Sequence, residues 1–250
     1  MRGGYGCCMT DRLVSPAATT ASGYFGAMAD SYDSLIRRAI PRYDEMMQRL
    51  LEHIRLQPRE ILELGCGTGN LTLALLKRYP NARVTTVDAS PEMTELTARR
   101  ANEPERLKTI TSTFEELRLP DESFDLVASS LSLHHVRDVR PIYQAIWRWL
   151  RPGGQFVLAD QLLGATAHSQ AAHWDVWLKF CREPGNCSEE EIASLAEHSR
   201  QHDHYLPAHE HFQALTQSGF VLPDLAWRNG MYAVLTAERD ETGGGVAGDA

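Results

Sequence analysis

Glu60-Ile61-Leu62-Glu63-Leu64-Gly65-Cys66-Gly67-Thr68-Gly69-Asn70-Leu71 decides how this chain folds. Ile61, Leu62 and Leu64 form a short apolar run that stops at three glycines on alternate positions, and helical periodicity resumes at Leu71. The pattern predicts a buried strand, a tight turn and a helix start. Glycines at 65, 67 and 69 permit positive φ and let a ligand reach the main chain without striking a Cβ. The helix N-terminus that follows offers free N–H groups and a partial positive charge to an anionic ligand group.

Downstream of that loop, strands and helices alternate. Leu71 to Leu76 predicts a helix ending near Tyr79-Pro80, and Val84 to Asp88 reads as a β-branched strand ending in an acid. Asp88 lies about 20 residues beyond the loop, where nucleotide-binding α/β folds place a carboxylate that accepts hydrogen bonds from ribose hydroxyls. Ser90-Pro91-Glu92-Met93 caps the next helix. Leu107–Thr111 is a third short strand, and Pro120–Asp125 turns into a fourth, Leu126–Ser130. A helix over Asp138–Leu150, a turn at Arg151–Gly154 and a fifth strand, Gln155–Ala159, follow. Residues 161–206 interrupt the alternation with two expected helices, Thr166–Arg182 and Glu189–Gln201. The strand Val221–Trp227 and a last one, Met231–Ala237, close the chain as a hairpin.

The octet E-L-G-C-G-T-G-N, with Pro120–Val127 and L-R-P-G-G-x-F-V-L, resembles class I S-adenosylmethionine (SAM) dependent methyltransferases. Dinucleotide-binding loops carry G-x-G-x-x-G instead. The resemblance covers Tyr24 to Glu238 and implies an α/β, Rossmann-like fold. Its sheet has seven strands, mostly parallel with the last antiparallel, helices on both faces and a helical lid. It implies SAM as cofactor, held by Glu63, Gly65, Cys66, Gly67 and Asn70 at the loop, by Asp88, Ala89 and Met93 after the second strand, and by Thr113 and Phe114. Many relatives carry an acid at the place of Thr113, so the adenine contact there departs from the pattern. Ser130 is the candidate contact for the methionine part. Tyr32, beside Asp33, belongs to lead-in helices that fold over the pocket or else fills a packing groove.

The acceptor is a different matter. A sulfonium methyl already has a good leaving group, so the protein's tasks are to align the nucleophile and exclude water, and a base is needed only where a proton must leave early. His134 and His135 are the candidate catalytic residues, an imidazole titrating near pH 6.5, with local hydrogen bonding as the alternative. The insertion 161–206 would cover a small-molecule methyl acceptor, and its Trp174, Trp177, Phe180 and Tyr205 also suit a small core of their own. His198, His202, His204, His209 and His211 crowd together with Asp203, but their spacing matches no familiar ligand set and no metal is expected. Tyr32-Asp33 and Ile40-Pro41-x-Tyr43 also give some likeness to carboxy-SAM synthase, with Arg200 an approximate match for its substrate-carboxylate arginine. A SAM-binding protein without catalysis is the reading from outside the enzymes.

Composition narrows the partners. A net charge of −8 on 250 residues, without a dense basic run, speaks against a nucleic-acid surface. No apolar run approaches the roughly 20 residues that span a bilayer, and no signal-peptide core is visible, so no membrane partner and a cytoplasmic location are expected. A homodimer is compatible with this reading. Five cysteines at irregular spacing form no disulfide framework. Residues 1–22 and 239–250 are expected to be disordered, flanking one domain over 23–238.

Overall fold

The computed structural model describes residues 32–241. The expected disordered start, residues 1–22, lies outside the described residues, as does the side chain of Tyr32. Two helices lead in, α1 (Tyr32–Ala39) and α2 (Tyr43–Glu52). The α/β alternation then runs β1 (Glu60–Leu64), α3 (Asn70–Arg78), β2 (Arg83–Asp88), α4 (Pro91–Ala101), β3 (Leu107–Thr111), β4 (Phe124–Ser130), α5 (Val139–Trp149) and β5 (Leu150–Gln161). Helices α6 (Ala167–Arg182) and α7 (Glu189–His202) form the insertion, and α8 (Ala208–Gln217), β6 (Phe220–Asn229) and β7 (Tyr232–Arg239) complete the chain.

One seven-stranded sheet has the order β3-β2-β1-β4-β5-β7-β6. Strands β1 to β5 pair in parallel, and β7 runs antiparallel to both β5 and β6. This is the expected Rossmann-like architecture. Its centre is buried on both faces, as parallel strands covered by helices require: Ile61, Leu62, Leu64, Leu126 and Val127 are fully enclosed. The two-residue period of the strands divides them between two cores. Ile61 and Leu126 pack with Met46, Leu50 and Leu75, whereas Leu62 and Val127 pack with Tyr143 and Ile146. A Leu50→Ala change would leave a cavity in the first of these and cost about 2–5 kcal/mol.

Two boundaries differ from the sequence reading. Arg151–Gly154 is not a free turn between helix and strand but part of β5. Phe124 pairs with Leu150 and Leu126 with Gln155, so these residues bulge from the ladder, where Gly153 takes φ +76°. A bulge places its extra residues on one strand while pairing resumes beyond. At the other end the domain does not stop at 238. Arg239 is buried, its guanidinium donating to the carbonyls of Trp147, Arg148 and Leu150 and to Glu122. Those carbonyls lie in the last turn of α5 and just beyond it, without helical partners, and a cation satisfies such groups.

The insertion is fastened to α1. Ser188 and Glu191 form a capping box at the start of α7, and Glu191 also takes a bidentate contact from Arg38 at 2.6 and 3.0 Å. Trp177 Nε1 donates to the Ala39 carbonyl at 2.9 Å. Among the described residues no helix is long and apolar enough to cross a membrane.

Candidate cofactor and acceptor site

Chain order reverses between β1 and β4, and in open parallel sheets a crevice forms at the carboxyl ends of such strands. A cavity of about 300 Å³ occupies that place, at the lower end of the range for small-molecule sites. Its floor is the glycine loop. Gly65 has φ +76°, and a Cβ there would stand 2.2 Å from the Ser132 Cβ. Gly69, at φ +90°, is the N-cap of α3. The amide of Gly65 donates to the Val87 carbonyl at 2.8 Å, tying the loop to β2.

Asp88, at the end of β2, holds the loop from the other side. Its Oδ2 accepts from the Gly67 amide and its Oδ1 from the Ser90 amide, each at 2.9 Å. Burial pushes its pKa above the usual value despite those amides. Each oxygen retains a lone pair, so a vicinal diol could still be bound. Glu63 is fully enclosed, its Oε2 accepting from Thr72 and Thr86, while Oε1 has no hydrogen-bond partner. Burial lifts its pKa to about 8.

The structure gathers the expected cofactor residues around this one cavity. Glu63, Gly65, Cys66, Gly67 and Asn70 line it from the loop, Asp88, Ala89 and Met93 from the β2–α4 side, Thr113 and Phe114 from the segment after β3, and Ser130 from the end of β4. Thr113 Oγ1 accepts the Glu116 amide at 3.3 Å, so the hydroxyl that replaces an acid here also fixes its own turn. Ser130 Oγ contacts Met47 Sδ at 3.3 Å. Tyr32 cannot be placed against the cavity, since its side chain lies outside the described residues, but its neighbour Asp33 can. Asp33 Oδ1 accepts from Thr68 Oγ1 and Asn70 Nδ2 at 2.5 and 2.9 Å, and its Oδ2 lies 2.9 Å from Arg100. Burial opposes its ionisation, but these partners outweigh burial and lower its pKa. The lead-in helix is thereby pinned to the glycine loop.

A second cavity of about 100 Å³ adjoins the first, the two sharing Ile36 and Leu131 as walls. Trp174, Trp177, Leu195 and Tyr205 line it from the insertion, and Met231 and Tyr232 from the far end of the sheet. The insertion therefore walls a cavity, and Trp177 serves both as lining and as anchor.

His134 and His135 form a short 3-10 turn after β4, at the boundary of the two cavities; His134 lines the second and His135 the first. Asp160, at the end of β5, receives the His134 backbone amide at 3.1 Å and faces the ring Nδ1. Burial disfavours the charged imidazole, but the charge and hydrogen bond of Asp160 and the charge of Asp203 overcome it and raise the His134 pKa. His135 Nδ1 lies 3.0 Å from Asp203 Oδ1, and burial with the neighbouring His134 lowers its pKa. The nitrogens His134 Nε2 and His198 Nε2 each lie 3.8 Å from that same oxygen. Asp203, though buried, is drawn down to about 2 by His135, His134 and the Tyr205 hydroxyl.

The downstream histidine run is thus divided. His198 joins the cluster, His204 donates its amide to the His134 carbonyl at 2.7 Å, His211 bonds Tyr143 in the core at 2.7 Å, and His209 is exposed. Arg200 points outward to Glu197, with 63% of its side chain exposed, and lines neither cavity. Asp160 escaped the sequence reading, although an acid at the carboxyl end of a parallel strand is the signal that singled out Asp88. Ser132 and the Asp33–Thr68 contact have no local signal, since they depend on distant segments meeting.

Residues 62–158 match the family described as methyltransferase domain. Over 137 residues the chain is 36% identical to malonyl-[acyl-carrier protein] O-methyltransferase of Halorhodospira halophila, covering 54% of this chain and 45% of that protein. It is 32% identical to demethylmenaquinone methyltransferase of Deinococcus radiodurans over 143 residues, 54% of this chain and 58% of that one. The chain thus spans about half the length of the curated relatives it matches. Among solved structures it is similar in fold to a phosphoethanolamine N-methyltransferase of Haemonchus contortus in complex with phosphomonomethylethanolamine and S-adenosylhomocysteine. That likeness has a TM-score of 0.66 at 14% identity and covers 88% of this chain and 59% of the other.

Proposed function

We propose that this chain, whose residues 62–158 match a methyltransferase domain, is a class I SAM-dependent methyltransferase that transfers the methyl group of SAM to a small molecule seated in the second cavity. The observation that carries this reading is the shared wall. A nucleophile in the space behind Leu131 and Ile36 lies next to a cofactor in the larger cavity, as in-line displacement requires. In this reading Glu63, Gly65, Gly67 and Asp88 hold SAM, Thr113 and Phe114 border its adenine, and His134 and His135 act on the acceptor's nucleophile.

The named relatives act on a malonyl group carried by a protein and on a quinone precursor, so their likeness in the cofactor half leaves the acceptor open. The second cavity favours a compact, largely apolar molecule with one hydroxyl, thiol or amine. Its lining is aromatic and aliphatic, with polar atoms concentrated at His134, His198, Ser199, Asp203 and Tyr205. Arg200, the approximate match for the substrate-carboxylate arginine of a carboxy-SAM synthase, points outward and lines neither cavity.

Incubation with SAM labelled in its methyl group and a metabolite extract, followed by mass analysis, tests the proposal. Transfer of one labelled methyl group with release of S-adenosylhomocysteine is expected. Recovery of a modified SAM would support the SAM-modifying alternative, and SAM binding without turnover across the extract would support a non-catalytic one.

A further inference from the structure

We propose that His134, His135 and Asp203 bind a divalent transition-metal ion of the zinc class at the boundary between the two cavities. The inference rests on the acceptor reading above only for the ion's role, not for its binding.

The donor atoms converge from two separate segments, the turn after β4 and the residue that follows α7. One ligand atom from each of the three side chains lies within 4.8 Å of the others. Four-coordinate zinc with nitrogen and oxygen ligands at about 2.0–2.1 Å sets neighbouring donors roughly 3.3 Å apart. Distances of 3.0 and 3.8 Å from Asp203 Oδ1 to the two imidazoles bracket that value. A direct hydrogen bond accounts for the shorter contact alone, since 3.8 Å is beyond hydrogen-bond reach. Two imidazoles and one carboxylate are the donors of a catalytic zinc site with one position open. His198 Nε2, 3.8 Å from the same oxygen, stands where it can bond a molecule in that position.

The surroundings fit as well. Metal-bound histidines typically give their other ring N–H to a carboxylate, which fixes the tautomer and raises ligand basicity. Asp160 does this for His134: it accepts at Nδ1 and leaves the Nε2 lone pair facing Asp203. Tyr205 donates to Asp203 Oδ2, so the oxygen turned toward the imidazoles is Oδ1. These contacts hold the donors in place before any ion arrives. Local spacing could not show the site, because two ligands lie in the turn after β4 and the third follows α7.

An ion there would bind the acceptor's hydroxyl or thiol through the open position and lower its pKa. The O–H or S–H bond would break with the proton passing to solvent, and the retained electron pair would attack the methyl carbon as the C–S bond of SAM breaks toward sulfur. No oxidant or reductant is involved.

The test uses the full chain, stripped with a chelator, dialysed and titrated with Zn²⁺ by calorimetry and with Co²⁺ by visible absorption. One equivalent should bind, and Co²⁺ should develop the intense bands of a low-symmetry, four-coordinate centre. His135→Gln and Asp203→Asn should each weaken Zn²⁺ binding at least 100-fold, and Asp160→Asn, which only orients His134, 10- to 100-fold. SAM affinity within threefold of the parent in Asp160→Asn would show that its fold is intact, and the Co²⁺ spectrum reports the site where a ligand variant folds poorly. Absent stoichiometric binding, or binding unchanged in Asp203→Asn, would overturn the inference. Full methyl transfer by the stripped protein would overturn the ion's role while leaving the methyltransferase reading intact. Stoichiometric metal binding without methyl transfer would leave the binding site standing and overturn the methyltransferase reading together with the ion's role in it.

Discussion

Two buried carboxyl groups, one in each cavity, have opposite fates. Glu63, beneath the glycine loop, is met by the hydroxyls of Thr72 and Thr86 and by the Thr72 backbone, all neutral donors, and burial drives its pKa to about 8. Asp203, in the second cavity, is surrounded by imidazoles and a phenol, and its pKa falls to about 2. Neutral donors soften the desolvation of a carboxylate without offsetting it, whereas groups that can take positive charge reverse it. The first cavity thus holds a proton on Glu63 that an arriving cation would displace. The second cavity holds a negative charge on Asp203. SAM, with its sulfonium and ammonium groups, suits the first arrangement; a metal ion or a protonated acceptor suits the second.

The sharpest break in this comparison is expected at Glu63. Its pKa is raised on folding, so between pH 4.5 and about 8 the folded protein binds the proton that the unfolded chain has released, and stability falls as pH rises through that window. The slope approaches about 1.4 kcal/mol per pH unit. Glu63→Gln should abolish this slope, so that at pH 8 the ligand-free variant is more stable than the parent by on the order of 3 kcal/mol. Denaturant titrations from pH 5 to 8 measure it, and parallel slopes for the two proteins would show that Glu63 is ionised in the fold.

Gly65→Ala comes next. Its added Cβ would meet Ser132 at 2.2 Å and impose a left-handed conformation on a residue with a side chain. Strain and overpacking together cost about 2–4 kcal/mol, visible as a lowered unfolding midpoint and a loss of SAM affinity. Asp88→Ala should cost about 1–3 kcal/mol of SAM affinity, since it removes two acceptors and frees the Gly67 and Ser90 amides. Unchanged SAM binding by calorimetry would sink the ribose assignment.

The contrast between cavities also marks how much was legible in the sequence. Apart from Tyr32, every residue of the first cavity named from the chain alone lies within about 12 residues of a strand end. Strand ends are readable because apolar runs, glycines and terminal acids are local signals. The fold followed for the same reason, down to β3 over Leu107–Thr111. The second cavity is assembled from α1, the insertion and β7, which meet only in three dimensions. His134 and His135 could be singled out, but their partners Asp160 and Asp203 are set by strand pairing and by the docking of α7. The bulge at Arg151–Gly154 was hidden because a Pro-Gly-Gly run reads as a turn whether or not the ladder continues past it.

Trp174→Ala separates the cavities by function. Trp174 lines only the second, against Trp177 with ring centroids 4.8 Å apart. Removing a partly buried indole should raise the acceptor KM by about tenfold, equivalent to about 1.4 kcal/mol, with SAM affinity held within twofold. Equal losses for both ligands would mean that the cavities act as one.

The smallest effect is expected where the insertion is fastened. Arg38 and Glu191 form a bidentate pair with each side chain about one-third exposed, at 33% and 34%. Solvent screening and side-chain entropy limit such a pair to about 0.5–1 kcal/mol. Arg38→Met keeps the aliphatic stem and leaves the Ser188–Glu191 capping box to hold the start of α7, so the change isolates the tie between α1 and the insertion. The unfolding midpoint should fall only slightly, because the sheet carries most of the buried area. If the insertion closes the second cavity by docking on α1, the acceptor KM should rise two- to fivefold while SAM affinity stays unchanged. A shift in SAM affinity instead would mean that α1 transmits the loss through Asp33 to Thr68 and Asn70, and that the helix belongs to the cofactor cavity more than to the acceptor's.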